Sequence, residues 1–476
     1  MTSELIREPR LYIGGEWVAG NGGECEVENP ATEEPVGIAV QASRTDVDQA
    51  VCAANDAFDS WSQSTVSERV YAIRRLHEVI SDRADTFAHL ITQEQGSLPE
   101  VARKLHVDTP LGLITRTADT LEEFPFRRRL DNSIILREPV GVVAAITPWN
   151  LPLHQIIVKI VPALAAGCTV VLKPAALTPL TAFELARAFE AAGFPAGAVN
   201  LVTGRGREIG NQLCLHPAVD HVSFTGSTAV GRHVAAAAAT TIKRVTLELG
   251  GKSASVVLSD ASNELLEKAV RVTVAKCYLN GGQTCNALSR LIVPRERLTR
   301  VEELAAAAAA EYIPGVTLGP LISAGQRFAV EGYLEPGMAK AVTQTVELPE
   351  RGYYVVPTVF SEVDPDSVLA QEEIFGPVLS IIPAESDQHA IELANHTIYG
   401  LGGALWLDDH NRAVDVAARI RAGRVDVNAA PFNPRAPFGG YKQSGNGREI
   451  GDYGIEDLLE VKAVQLPAGS SHQGDS

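Results

Sequence analysis

The sequence predicts an α/β protein built from two doubly wound, largely parallel sheets, and three observations carry the prediction. From Gly141 onward, short apolar and β-branched runs alternate with stretches of helical length. The repeat is roughly 25 residues, which is what strand–helix–strand crossovers need. The alternation halts at Gly250-Gly251 and then restarts, so two such units follow one another in the 476-residue chain.

In the first unit, Gly141 to Ile146, Thr169 to Leu172, Val199 to Val202 and His221 to Phe224 read as strands. Leu153 to Ala166 and Thr178 to Ala192 read as the helices between them. The second unit offers Ser255 to Leu258, Arg290 to Val293, Val378 to Ile382, Ala404 to Leu407 and Arg424 to Val427 as strands. The alanine tracts Ala235 to Ala239 and Ala305 to Ala310 read as helix, because alanine has the highest helix propensity. Two stretches fit neither series: Asn132 to Leu136, after the basic run Arg127-Arg128-Arg129, and Glu460 to Gln465. Each is expected either as an edge strand of its own sheet or as part of a small arm whose strands pair between subunits.

Composition narrows the function. At roughly 150 residues per unit the length suggests about three folding units, large enough to bury cores without staples. Hydrophobic residues make up 45% and charged ones 21%, an ordinary globular balance. A net charge of −17 argues against nucleic acid and anionic membranes as partners. Met1 to Arg10 holds no apolar run of signal length, so a cytoplasmic protein is expected. The longest apolar stretch, Ile156 to Leu172, is broken by Lys159, Pro162 and Gly167 and reads as a buried helix and strand rather than a span. Six cysteines show neither paired spacing nor a His cluster, so no metal and no disulfide framework are expected. Pro467 to Ser476 reads as a loose tail, and no tandem repeat is present.

Several segments carry residues capable of chemistry. In Gly281-Gly282-Gln283-Thr284-Cys285 the small residues leave a thiol accessible at a turn, as a nucleophile or as a small buried hydrophobe. Glu248 stands between Leu247 and Leu249 before Gly250-Gly251, where burial would raise its pKa towards that of a general base; a capping or ion-paired carboxylate is the alternative. Thr147-Pro148-Trp149-Asn150 turns sharply at a carboxyl edge, and the Asn150 amide either donates to an oxyanion or caps the next helix. Phe224-Thr225-Gly226-Ser227 ends a strand and opens a helix, an arrangement suited to a pyrophosphate. Lys173-Pro174 ends another strand within reach of a ribose or phosphate. Gly204-Arg205-Gly206 with Gly210 has the spacing GxGxxxG and reads as a loop rather than a phosphate fingerprint. In Glu372-Glu373-Ile374-Phe375-Gly376-Pro377 a carboxylate suits ribose hydroxyls and an aromatic suits a flat ring; a helix end and turn is the alternative.

Together, and in this order along the chain, these segments resemble the NAD(P)-dependent aldehyde dehydrogenase family from about Leu11 to Leu466. The resemblance implies an aldehyde dehydrogenase-like fold: a dinucleotide-binding domain over 1–120 and 139–247, and a catalytic domain over 248–440. A discontinuous oligomerisation arm and C-terminal tail would take 121–138 and 441–476. It implies Cys285 as nucleophile, Glu248 as general base, Asn150 as oxyanion donor and Lys159 near the catalytic centre. NAD or NADP would lie along Thr147, Pro148, Trp149, Lys173, Pro174, Ala176, Gly206, Gly210, Phe224, Thr225, Gly226, Ser227, Gly231, Leu249, Gly250, Glu373 and Phe375. The implied reaction runs through a thiohemiacetal and a thioester, which water activated by Glu248 hydrolyses. Relatives that transfer the acyl group to coenzyme A lack that glutamate, so a hydrolytic enzyme is expected.

Three departures from the family pattern matter. Many NAD-preferring members carry a Glu three residues after the lysine, whereas here Lys173 is followed by Pro174-Ala175-Ala176, leaving NADP as open as NAD. The segment Leu304 to Tyr354 is shorter than usual, and Gly281 stands where a bulkier residue is commoner, which suggests a more mobile nucleophile loop. By position, Leu151, His154, Gln155, Val158, Thr284, Asn286, Phe432 and Phe438 are expected to wall the substrate tunnel. Their apolar bias favours an uncharged aldehyde as substrate, in a homodimer or homotetramer. The competing expectations are a semialdehyde dehydrogenase, for which Arg435 is the cation on hand, and a catalytically idle structural relative.

Overall fold

The computed structural model describes residues 5–335 and 337–467. The first four residues, and the expected tail beyond Pro467, lie outside them.

Eight strands form the first large sheet, in the spatial order Gly445–Asn446, Arg244–Glu248, His221–Thr225, Val142–Ile146, Thr169–Lys173, Val199–Leu201, Arg10–Ile13 and Glu16–Ala19. The five inner strands run parallel, with Phe224 beside Ile146 and Ile146 beside Lys173. Chain order reverses direction between Val142–Ile146 and His221–Thr225. A crevice opens at such a switch point, beyond the carboxyl ends of the strands. Helix Pro152–Ala166 follows the first of these strands and is apolar nearly all round, so it sinks into the core.

The second sheet has seven strands, ordered Lys340–Ala341, Thr358–Ser361, Val378–Ala384, Arg290–Pro294, Ala254–Val257, Gly402–Trp406 and Arg424–Val427, all parallel except the first. Its two faces hold separate cores. Val256, Ile292 and Leu405 point to one, and Val257, Leu291, Val293 and Trp406 to the other, as strand alternation dictates. Buried Arg290 donates to the carbonyls of Lys252, Leu393 and Ala394, tying the entrance of this sheet to the helix Asp387–Asn395.

The two unassigned strands find each other. Ser133–Pro139 pairs antiparallel with Leu459–Gln465 over seven positions, and Arg127–Leu130, whose sequence reads only as a basic run, adds the third strand. The two stretches thus form a small sheet of their own, in which Leu459–Gln465 is an edge strand, as one of the two expectations has it, while Ser133–Pro139 lies at the centre. Of the segment 441–476, Gly445–Asn446 joins the edge of the first sheet before the chain reaches this arm.

The first 120 residues, to which the alternation assigns no elements, fold as well. Ile6–Glu8, Glu24–Asn29 and Glu34–Val40 make a small sheet. Helices Arg44–Ser62 and Val66–Asp82 each open on a capping box, Ser43 with Asp46 and Thr65 with Glu68. Among the described residues no helix is long and apolar enough to cross a membrane, and no cluster of three His, Cys, Asp or Glu could hold a metal.

Candidate active site

The carboxyl ends of the first sheet's strands meet the amino ends of the second sheet's, and this brings the predicted residues together. Cys285 follows a turn in left-handed backbone, with φ of 56°, 68° and 77° at Asn280, Gly281 and Gly282, just before strand Arg290–Pro294. A side chain at Gly251 would lie 2.4 Å from the Cys285 carbonyl oxygen, so the double glycine lets the end of the first sheet approach the Cys285 loop. Cys285 is half-buried and faces a cavity of about 430 Å³. Burial holds its thiol well above the usual range, and the carboxylates of Glu248, Glu373 and Glu449 push the same way, against a hydrogen bond from its own backbone N–H.

Glu248 ends strand Arg244–Glu248, is 3% exposed, and neither carboxylate oxygen has a hydrogen-bond partner. Its pKa is raised well above the carboxylate range, first by burial and then by Glu449, while Lys159 and Arg448 oppose. A buried carboxyl without donors is costly unless neutral. Its environment raises its pKa and leaves it without the partner a structural ion pair would have.

Asn150 is buried at the switch point. Its side-chain amide nitrogen donates to the Gln283 backbone carbonyl at 3.0 Å, leaving the second amide hydrogen for another acceptor, and its backbone carbonyl accepts from the Asn280 side-chain amide at 2.8 Å. Lys159, on helix Pro152–Ala166, reaches the Glu449 carboxylate at 2.6 Å and the Ser223 hydroxyl at 3.2 Å, fully buried. Glu449 lines the same cavity as Cys285. Nothing in its spacing within Gly447-Arg448-Glu449 marks it in the sequence.

A second group lines the crevice of the first sheet. Thr147 and Thr225 each end a strand region with a buried hydroxyl lacking a partner. The Gly226 N–H donates to the Glu248 carbonyl at 3.1 Å, and the Phe224 ring lies against Gly226. Ser227 caps helix Thr228–Ala238, accepting from the Val230 N–H at 3.4 Å. Gly231 faces Leu249 so closely that a Cβ would meet it at 2.4 Å. The Lys173 ammonium donates to the Pro174 carbonyl, and burial lowers it to about 8; Ala176 lies half-buried beyond. The turn Gly206–Gly210, which reads as a separate loop, sits with Gly210 against the Lys173 stem. Trp149 meets Phe375 edge to face, with ring centroids 5.4 Å apart, and follows Pro148. Glu373 packs on Gly250 and accepts from the Gly251 N–H at 3.0 Å, its pKa raised to about 7 by burial.

All eight residues expected to wall a tunnel line the cavity at Cys285, from Leu151, His154, Gln155 and Val158 through Thr284 and Asn286 to Phe432 and Phe438. His154 is kept neutral by burial, which lowers it to about 4. Arg435, the cation expected nearby, is instead exposed and points to Glu123 at 3.8 Å, outside the wall. It sits on a proline-rich loop, Pro431 to Pro437, with its side chain exposed. The arginine that does line the cavity is Arg424, which the sequence does not single out.

A model described as the aldehyde dehydrogenase family matches residues 17–464. A Pseudomonas protein named 3-succinoylsemialdehyde-pyridine dehydrogenase is 45% identical, covering 97% of this chain and 99% of its own. A putative aldehyde dehydrogenase of Staphylococcus aureus is 39% identical, covering 96% and 98%. Among solved structures, a cysteine-to-alanine mutant of Pseudomonas syringae aldehyde dehydrogenase C with NAD+ and octanal superposes with a TM-score of 0.94 at 44% identity, covering 97% of this chain and 98% of that one. A Mycobacterium tuberculosis aldehyde dehydrogenase with NAD+ gives 0.93 at 39% identity, covering 98% and 100%.

Proposed function

The chain belongs to the aldehyde dehydrogenase family, and on that premise we propose that it oxidises an uncharged aldehyde to the carboxylic acid with NAD+ or NADP+, by way of a Cys285 thioester that water hydrolyses. The observation that carries this reading is the convergence, on one mainly apolar cavity, of the Cys285 thiol and a buried Glu248 whose two carboxylate oxygens have no partner.

The crevice of the first sheet suits a dinucleotide. The unpartnered hydroxyls of Thr147 and Thr225, the helix start at Ser227, and the Lys173 ammonium offer donors to phosphate and ribose, while Gly226, whose N–H is taken by the Glu248 carbonyl, leaves room before the helix. Glu373 offers an acceptor to ribose hydroxyls, and Phe375 with Trp149 a flat apolar wall. Pro148, Pro174, Ala176, Gly206, Gly210, Phe224, Gly231, Leu249 and Gly250 shape the cleft by leaving it room. When bound, the dinucleotide supplies a hydride acceptor.

The remaining chemistry falls to this chain's own residues. The Cys285 thiol loses its proton to solvent and the sulfur attacks the aldehyde carbonyl, and the oxyanion that develops is held by the free hydrogen of the Asn150 amide and by the Cys285 backbone N–H. After oxidation the acyl group remains on sulfur. Glu248 then takes a proton from water, whose oxygen attacks the thioester, and Cys285 leaves as the acid departs. Lys159, bonded to Glu449, places a positive charge near Glu248 and so limits how far its pKa climbs. We assign the cofactor to residues 1–120 and 139–247, the catalytic groups to 248–440, and subunit contact in a dimer or tetramer to the arm of 121–138 and 441–476.

The substrate class rests on the wall. It is largely apolar, and the octanal bound by the Pseudomonas syringae relative has the same character. The test follows absorbance at 340 nm with an aldehyde panel and each cofactor. Octanal should show a higher kcat/KM than succinate semialdehyde, and Cys285→Ala should abolish turnover. The reverse order would refute the uncharged substrate, and full activity in Cys285→Ala the mechanism.

A further inference from the structure

The cavity wall contains one ion pair made for itself. Strand Arg424–Val427 is the edge of the second sheet, and Arg424 and Asp426, two residues apart, project to the same face. Their parallel neighbours Gly402 and Ala404 are small, which leaves the space beside them to the cavity. The Arg424 guanidinium donates from Nε to one Asp426 oxygen at 2.7 Å and from Nη2 to the other at 2.8 Å, and its Cζ lies 5.0 Å from the centre of the Phe432 ring. Arg424, Asp426 and Phe432 all line the cavity that Cys285 faces.

An arginine fork recognises a carboxylate through two parallel N–H groups. Here that edge is already spent on a carboxylate of the chain, and the pair is neutral overall. The other charged groups of the wall do not replace it: Glu449 is tied to Lys159, and Lys276 is exposed, a hydrated point charge without a fork. We infer that Asp426 is a specificity-determining residue, which occupies the Arg424 fork and so denies the cavity to aldehydes carrying a second, anionic carboxylate. The inference rests on the proposed aldehyde oxidation and deepens it, since it names the feature that sets the charge of the substrate.

Asp426→Asn halves the bidentate contact and Asp426→Ala frees the fork entirely. For each variant the ratio of kcat/KM for succinate semialdehyde to that for octanal is measured, so that any general loss of activity cancels. The ratio should rise by about tenfold or more in Asp426→Ala, the scale of one charge-assisted hydrogen bond gained, and by less in Asp426→Asn. Adding Arg424→Met to Asp426→Ala should cancel the gain, whereas adding Lys276→Met should preserve it. A ratio unchanged in both Asp426 variants overturns the inference. So does a gain that survives the loss of Arg424, which would reduce Asp426 to simple repulsion. Wild-type protein that oxidises neither aldehyde would instead defeat the proposed reaction itself, a result distinct from both.

Discussion

Replacing Glu248 by Gln should make the protein more stable relative to wild type as pH rises, and the geometry sets the size. The Glu248 carboxyl is buried, lacks any donor, and is held neutral well above the usual carboxylate range by burial and by Glu449. In the unfolded chain it ionises near pH 4.3, roughly the reference value. Above that pH the folded state keeps a proton that the unfolded state has lost. Stability is then fully present below the unfolded pKa and falls as pH rises towards the folded pKa, by about 1.4 kcal/mol per pH unit. Gln cannot titrate, so the variant escapes this loss, while the cost of its buried amide is the same at every pH. The stability difference, variant minus wild type, should therefore climb from pH 5 and level off once Glu248 ionises in the folded protein. Denaturant titration at fixed protein concentration is the suitable assay. For 476 residues, an unfolding entropy of about 2.1 cal/mol/K per residue moves the Tm by only about 1 °C per kcal/mol. A difference that stays flat between pH 5 and 8 would show that Glu248 is already ionised at pH 5, and the burial-raised pKa would fall with it.

Two further variants address the other groups. Asn150→Ala should lower kcat by about 10²–10³-fold, as removal of one oxyanion donor does elsewhere, and should lower the burst of reduced cofactor by as much; an unchanged burst would demote Asn150 to a loop anchor for Gln283. Glu373, with its pKa raised to about 7, is mostly neutral below that pH and an anionic acceptor above it. The KM for the dinucleotide should therefore fall as pH rises through about 7 and lose that dependence in Glu373→Gln; an identical profile in the variant would remove Glu373 from the cofactor site.

What the sequence makes legible follows from how local each signal is. Strands of the parallel sheets are continuous apolar runs, because both their faces are buried, and so they stand out from Val142–Ile146 to Gly402–Trp406. The residues of the first 120 positions alternate or mix, and no repeat announces them, although Ser43-x-x-Asp46 and Thr65-x-x-Glu68 were visible helix starts. Site residues that end strands or open helices, such as Glu248 and Ser227, carry their context with them. Glu449 and Arg424 do not. Their roles exist only through partners far away in sequence or across the sheet, Lys159 for one and the cavity wall for the other. Arg435 shows the reverse error: its sequence position is close to Phe432 and Phe438, but the loop turns it outward to Glu123.

The thiol poses the sharpest question about Glu248, because the same carboxyl can act on Cys285 in two opposite ways. As a field, it is one of three carboxylates that hold the thiol protonated, after burial itself. As a proton acceptor, it would draw the proton off and activate the sulfur. Glu248→Gln separates the two without any cofactor or aldehyde, through the rate at which iodoacetamide alkylates Cys285, with Cys285→Ala as the blank for the exposed Cys52 and half-buried Cys25. If the field dominates, the variant carries more thiolate at every pH at which Glu248 is ionised in the wild type. A tenfold gain in thiolate brings about a threefold loss of intrinsic nucleophilicity, so alkylation should quicken by only about three- to fourfold for each such gain. The structure favours this outcome, because neither Glu248 oxygen is within hydrogen-bond reach of the sulfur or of any other donor. Slower alkylation in the variant would contradict it and make Glu248 the base for both halves of the reaction.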